Sequence, residues 1–350
     1  MREGKNLIGV DIGSSSIKVC QVRETRKAYS LVAFGYAPLP PQAIVDGQVM
    51  DGNAVAETLQ QIWHTSKIRQ REVSLGVSGQ SAIIRKITIP MMTAEELEEQ
   101  IQWEAEQHIP FDIKDVHVDY QVLRRHPEQS QMDLLLVAAK RDQINDYAQL
   151  ARDARLKPIV CDIDAFSIQN LFELSRGLPA DQTVALINVG ANLTSLNIIS
   201  SGISAFTREI ANGGHGISEQ IQKQLGIPFE LAEAYKCGTA EAPAPPQVTQ
   251  IIESATDTIA AEIQRSLDFF MATSGDGEIS RIYVTGGTSK IPPLSQAIER
   301  RARVPVEVWA PTEKLSIDSK RVDASILGER APQLAVALGL ALRKEREIRA

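Results

Sequence analysis

The feature that most restricts what this chain can fold into is a motif used twice. Gly9-Val10-Asp11-Ile12-Gly13-Ser14-Ser15-Ser16-Ile17-Lys18 reads as an apolar strand, a Gly/Ser turn and a second, alternating strand. Ile187-Asn188-Val189-Gly190-Ala191-Asn192-Leu193-Thr194 repeats that layout about 180 residues later. A third strand follows each time, Tyr29–Tyr36 after the first motif and Ile203–Ile210 after the second. Strand follows strand before any helix, so the unit differs from the β-α-β order of a dinucleotide-binding fold. A repeated unit of this size predicts a duplicated α/β architecture with two related halves.

The turns carry chemistry as well as geometry. Gly13 permits a tight turn and close backbone approach, and N–H groups with the hydroxyls of Ser14, Ser15 and Ser16 can point at phosphate oxygens. Asp11 suits the water shell of Mg²⁺, which keeps several waters and uses few carboxylates. Lys18 offers a point charge for β/γ oxygens. In the second motif Asn188, Gly190, Asn192 and Thr194 occupy the comparable places. Two such loops facing each other would clamp a nucleotide. A third motif, Ile282-Tyr283-Val284-Thr285-Gly286-Gly287-Thr288-Ser289, runs a strand into two glycines where a flat ring or a phosphate can meet the backbone. Asn212-Gly213-Gly214 opens a helix, whose N-terminus attracts anions.

Between the repeats, residues 82–160 read as strand, helix, strand, strand, helix, an inserted subdomain. Thr93-Ala94-Glu95-Glu96 is a capping box that starts its first helix. The halves are then residues 1–81 with 161–183 and 332–350, and residues 184–331, the latter with helices over about 215–275 on its adenosine side. Asn53 is the expected cap of a helix over 54–66, Asp164 caps a helix to Ser175, and Pro332–Lys344 is expected as a final helix.

Here the residues carry a resemblance. The three loops, in this order and spacing, resemble the phosphate-1, phosphate-2 and adenosine motifs of the actin/FtsA/sugar-kinase superfamily. Four stretches are closer still to the PilM family of type IV pilus assembly: Val10–Lys18, Phe206-Thr207-Arg208-Glu209-Ile210, Leu225–Phe229 with Ala232–Lys236, and Ala337–Arg343. The insertion lies where FtsA and PilM carry their extra subdomain. The resemblance implies an actin-like (ribonuclease-H-like) duplicated fold binding ATP with Mg²⁺. It places Glu233 and Lys236 near adenine and ribose and makes Gly286-Gly287 the floor of the adenosine pocket. It also implies a partner, the cytoplasmic N-terminal segment of a bitopic PilN-like membrane protein, together with other pilus assembly proteins and self-association. One position departs from the superfamily: Asn188 stands where many members have aspartate. An amide cannot act as a carboxylate base, so hydrolysis by the isolated chain is expected to be slow or absent.

Bulk properties agree. The net charge of −7 on 350 residues disfavours duplex nucleic acid as a partner. Cys20, Cys161 and Cys237 show no paired spacing, which fits a reducing compartment. The start, Met1–Asn6, lacks an apolar leader, no 18-residue apolar run occurs, and the tail from Arg343 has one large apolar residue. A cytoplasmic chain held at the inner membrane through a partner is expected, without direct insertion. A sugar kinase of the same superfold would need a catalytic aspartate and a sugar site, and no convincing candidate stands out. An FtsA-like filament-forming scaffold is the other alternative. His64, His108, His117, His126 and His215 lack metal-binding spacing and read as structural or solvated. On the helix from Thr93, Trp103 falls opposite Leu97, Ile101 and Ala105; it reads as a contact with a neighbouring subdomain ahead of a contact with a partner. That helix has six glutamates between Glu95 and Glu106 and no Lys or Arg, so it would steer a basic tail.

Overall fold

A computed structural model describes residues 4–345 apart from 26–27, 46, 79–81, 179 and 276. The tail beyond residue 345, and Met1 to Glu3 at the start, lie outside the described residues.

The repeat in the sequence becomes a repeat of sheet topology. Strands β1 (Ile8–Ile12), β2 (Ser16–Glu24) and β3 (Tyr29–Pro38) form an antiparallel meander. A small ribbon of β4 (Ile44–Val45) and β5 (Gln48–Val49) and helix α1 (Gly52–Thr65) lead into β6 (Glu72–Val77), parallel to β1. The cap of α1 is Asp51 rather than the expected Asn53: its carboxylate accepts from the Ala54 N–H at 3.0 Å, because the helix begins two residues earlier.

The chain then leaves the sheet. Strands β7 (Ala82–Pro90), β8 (Val116–His126) and β9 (Gln131–Lys140) make a separate antiparallel sheet in the order β7-β9-β8. Helix α2 (Ala94–His108) covers it, packing Leu97, Ile101 and Ala105 against Ile87, Ile89, Leu134 and Leu136. The capping box forms as expected: Thr93 Oγ1 accepts from the Glu96 N–H at 3.2 Å, and Glu96 Oε2 accepts from the Thr93 N–H at 2.8 Å. This small layer ends at residue 140. Helix α3 (Arg141–Asp153), grouped with the insertion on sequence, packs with the first half, as does β10 (Lys157–Ile163). Tyr147, Leu150 and Ala151 of α3 share a core with Val55 and Leu59 of α1, and β10 pairs in parallel with β6. An apolar helix face specifies burial and leaves the partner open, which is why the boundary moved.

Helix α4 (Asp164–Arg176) leads to the second sheet. Strands β11 (Thr183–Val189), β12 (Thr194–Ser200) and β13 (Ile203–Ile210) form the second meander. Helices α5 (Gly214–Leu225), α6 (Phe229–Cys237) and α7 (Pro246–Thr273) precede β14 (Ile279–Thr285), which lies parallel to β11. Helix α8 (Pro292–Ala302) and β15 (Val306–Val308) follow, and β16 (Ser316–Ile317) returns to the first sheet beside β3. The sheet orders β10-β6-β1-β2-β3-β16 and β15-β14-β11-β12-β13 share one scheme. Each has a meander with a parallel strand beyond its first member.

Helix α9 (Ala324–Arg330) and a 3₁₀ turn lead to α10 (Ala335–Leu340). One core joins Cys20 and Leu31 of the first sheet to Leu186 and Ile199 of the second through Ile168 and Phe172 of α4 and Leu338 of α10. Gly339 makes this sandwich possible, since a Cβ there would collide with the Ser167 carbonyl of α4. The final helix is shorter than expected. After Leu340 the backbone is captured by the chain start: Leu7 N–H donates to Arg343 O at 2.8 Å and Glu345 N–H to Lys5 O at 3.1 Å.

Candidate functional site

The two Gly-containing loops are built to one register. In the first, Asp11 lies opposite Lys18 across β1 and β2, and Gly13 N–H closes the turn on Ser16 O at 3.1 Å. In the second, Asn188 lies opposite Ser195, and Gly190 N–H closes on Leu193 O at 2.9 Å. The charged cross-strand pair of the first loop is a neutral pair in the second. Lys18 Nζ sits 3.2 Å from Asp11 Oδ2, with both side chains largely buried. That ammonium also hangs over the turn, 2.9 Å from where a Cβ on Gly13 would lie. Ser14 and Ser15 are half-buried, while Ser16 is buried within β2.

Around the second loop the structure gathers most of the expected residues. Gly214 N–H donates to Gly190 O at 3.0 Å, His215 N–H to Ala191 O at 2.8 Å and Thr288 Oγ1 to Gly190 O at 2.7 Å. The first N–H groups of α5 thus hold this loop. Thr194 is fully buried, and its hydroxyl bonds to Asn212 O at 2.8 Å. Asn192 is half-buried at the turn. Gly286 has φ +94°, a backbone that glycine alone adopts readily, and a Cβ there would stand 2.6 Å from Asn188 Oδ1. Its neighbour Gly287 faces Gln333, and buried Ser289 bonds to Gly286 O at 2.7 Å. Ser16, Thr194 and Ser289 therefore shape the loops from behind.

On α6, Lys236 is 6% exposed; its Nζ donates to Glu233 Oε2 at 2.6 Å and to Gly214 O at 2.9 Å. Ser218 Oγ donates to the same carboxylate at 2.5 Å. Burial alone would raise the Glu233 pKa, but the Lys236 ammonium and these bonds hold it below the usual range. Glu233 and Lys236 thus stand as a fixed pair beside Gly213 and Gly214.

Sequence reasoning missed one residue. Asp164 was expected to cap α4, yet it is the first residue of that helix, and Ile163 holds the cap position. The carboxylate rests over Gly76 of β6. Oδ1 is shielded from solvent and has no hydrogen-bond partner among the described residues, while Ser78 bonds to the side chain. Burial, with the nearby charges of Asp11 and Glu209, pushes its pKa well above the usual carboxylate range. An acid just past the end of a parallel strand is a usable signal, since ligands bind at the carboxyl ends of such strands. Among the described residues no three carboxylate, imidazole or thiol groups converge as a direct metal cage. An orphaned carboxylate oxygen near a second acid instead fits a hydrated hard cation held through water.

Trp103 is not at this site. It is 63% exposed on α2, and the expected packing against a neighbouring subdomain is absent, because α2 buries its opposite face on its own sheet.

A family model described as type IV pilus assembly protein PilM matches residues 9–345. The chain belongs to the PilM family. A solved structure described as a PilM-PilN type IV pilus biogenesis complex matches with TM-score 0.85 and 28% identity, over 98% of this chain and 99% of that one. The ethanolamine utilization protein EutJ from Carboxydothermus hydrogenoformans matches at TM-score 0.56 and 13% identity, over 96% and 89% of the two chains. A diol dehydratase-reactivating factor in nucleotide-free form matches at TM-score 0.56 and 11% identity, over 97% and 99%. The fold is the actin-like duplicated α/β fold, and the chain is a type IV pilus assembly protein by family. Among the described residues no helix is long and apolar enough to cross a membrane.

Proposed function

We propose that this chain is an ATP-binding cytoplasmic adaptor of the pilus inner-membrane complex, docking the cytoplasmic tail of a PilN-like bitopic protein. The observation that carries the nucleotide reading is the buried Lys18–Asp11 pair on one loop of a duplicated loop system. Lys18 would exchange Asp11 for β/γ phosphate oxygens, with Gly13, Ser14 and Ser15 adding N–H and hydroxyl donors. Gly190 and Asn192 bound the phosphates from the other half, Gly213 and Gly214 approach the ribose side, and Glu233, Lys236, Gly286 and Gly287 hold adenosine. Mg²⁺, when bound, would neutralise phosphate charge, and Asp11 with Asp164 would hold its waters. Burial and the charges of Asp11 and Glu209 favour the protonated, non-basic form of Asp164 when no cation is bound. Asn188 adds no base, so ATP acts chiefly as a structural ligand that stabilises the closed chain by mass action.

The similarity to a structure described as a PilM-PilN complex supports the partner. The tail would lie where the inserted sheet meets the first half, with apolar anchors or strand addition supplying affinity. Calorimetry tests both parts. Mg–ATP should bind the isolated chain, and a PilN-type tail peptide should bind with it. Absence of any nucleotide binding would remove the first part; absence of peptide binding to the ATP-loaded chain would remove the second.

A further inference from the structure

The parallel strands of the first sheet give it two unlike ends. Asp11 stands near the carboxyl end of β1 and Asp164 just past that of β10, on the nucleotide side. The inserted sheet leaves from that end too, since β7 follows β6. Strands of six or seven residues put the amino end about 20 Å away, and there the chain gathers cations.

Lys67, Arg69 and Arg71 lie between α1 and β6, and Arg152, Arg155 and Lys157 surround the turn from α3 into β10; all six are exposed. The segments touch, since Lys157 N–H donates to Arg71 O at 2.8 Å. Residues 67–72 and 152–157 hold two acids: Glu72, 3.4 Å from Lys157 Nζ, and Asp153, which accepts from Gln149 at 2.7 Å. Six cations less two acids leave +4 here, on a chain whose total is −7. Lys67, Arg69, Arg71 and Arg155 form no ion pair among the described residues. Lys67 and Arg155 each follow a helix end in left-handed backbone, φ 53° and 60°, a place where glycine is usual. The carbonyl ends of α1 and α3 favour a nearby cation, but Arg69, Arg71 and Lys157 lie beyond both helices. Between the segments opens a cavity of about 290 Å³ lined by Gln60, Trp63, His64, Arg71, Ala154 and Arg155. No carboxylate is among these lining residues.

We propose that this end of the sheet rests on an anionic lipid surface, with one lipid phosphate seated between Arg71 and Arg155. Guanidinium groups take phosphate oxygens in pairs. A cluster of cations on one face is drawn to an anionic leaflet electrostatically, with no segment inserted. Two observations select this occupant over a nucleic acid. The total of −7 opposes a polyanion that wraps the chain, whereas a planar surface meets only this end. Ile159, on edge strand β10 just beyond Lys157, is 46% exposed, and an apolar side chain among cations suits a bilayer interface. The contact leaves the nucleotide cleft and the inserted sheet at the far end, so it stands whether or not nucleotide or a PilN-type tail binds.

Flotation of the intact chain with vesicles at low salt tests it. The wild type should bind phosphatidylcholine vesicles that contain phosphatidylglycerol, ignore phosphatidylcholine alone, and be released by high salt. Arg71→Glu with Arg155→Glu should weaken vesicle binding about tenfold or more and leave Mg–ATP binding unchanged. Arg71→Gln with Arg155→Gln, gentler on folding, should lose binding in the same direction. Lys314→Glu with Lys320→Glu makes the same change of charge beside β16, at the other edge of the sheet, and should cost about threefold or less. A wild type that leaves the anionic vesicles unbound overturns the proposal. So does a far-edge variant that loses as much as the cavity reversal. Capture of duplex DNA or inorganic phosphate by a chain that ignores anionic vesicles would assign the cavity to another anion and equally overturn it.

Discussion

The two Gly-containing hairpins share strand register, turn closure and position in their sheets, yet they are held by different forces. The first sets Lys18 against Asp11 at 3.2 Å, a largely buried charge pair, and one backbone bond, Leu39 N–H to Ser15 O at 3.0 Å, holds the turn from outside. The second sets Asn188 against Ser195 and is gripped by Gly214, His215 and Thr288, which all bond to its carbonyls. The first loop thus rests mainly on a charge pair, and the second on backbone bonds to its neighbours. A charged loop can answer a ligand by exchanging partners, whereas a loop tied by backbone bonds to α5 and the Gly286 turn cannot.

The largest expected effect strikes the second loop. Gly286→Val puts a β-branched residue at φ +94° against Asn188 and should cost about 3 kcal/mol or more of stability. Urea unfolding reads it directly; a loss below measurement error would show that the second loop tolerates movement. The next effect separates the loops by charge. Lys18→Ala should weaken Mg–ATP binding by about 1.5–3 kcal/mol. Its register equivalent, Ser195→Ala, should cost about 0.5 kcal/mol or less, since no phosphate contact is assigned to it. Equal losses by calorimetry would erase the distinction.

The third prediction concerns the residue that makes the loops unequal. Phosphate release by the isolated wild type should be slow. Asn188→Asp should raise it about tenfold, modest beside the 10²–10⁴ available from a well-placed base, because Ser195 gives the new carboxylate no cation to orient it. Rapid release by the wild type, or no change in the variant, would show that Asn188 is not what limits turnover.

Local signals read well and distant ones did not. The two hairpins, the Thr93–Glu96 capping box and the strand before Gly286 depend on residues within one turn or one strand, so the sequence shows them. Asp164 escaped because its neighbours, Gly76 and Asp11, are brought to it only when β10, β6 and β1 line up in one sheet. The length of α10 escaped because Lys5 and Leu7 claim the backbone after it from the other end of the chain. The placement of α3 escaped because its apolar face fits either the small sheet or α1, and packing decided. Trp103 is legible as exposed on helical geometry alone, and only the packing of α2 shows that no neighbouring subdomain covers it.

The smallest effect tests whether the first loop belongs to a larger acidic centre. Asp164 is a carboxylate with one orphaned oxygen and with Asp11 and Glu209 nearby. Without a cation its charged form is opposed by burial and by like charge, so protonation is the cheaper state. Asparagine has nearly the same shape, keeps a partner for Ser78 and has no charge to hide. Asp164→Asn should therefore stabilise the nucleotide-free chain near neutral pH by about 1 kcal/mol. The sign with pH follows from the raised pKa. Any stability the acid form contributes is full below the ordinary carboxylate range and is lost as pH rises through the elevated value. The wild type should thus lose stability relative to the variant across that interval. Adding Mg²⁺ with ATP should reverse the order, because the cation rewards the carboxylate and does little for the amide. Thermal melts at several pH values, with ATP alone and with Mg–ATP, give the whole comparison. If the variant gains as much from Mg²⁺ as the wild type does, Asp164 stands apart from the cation, and Asp11 with Lys18 is the complete charged part of the site.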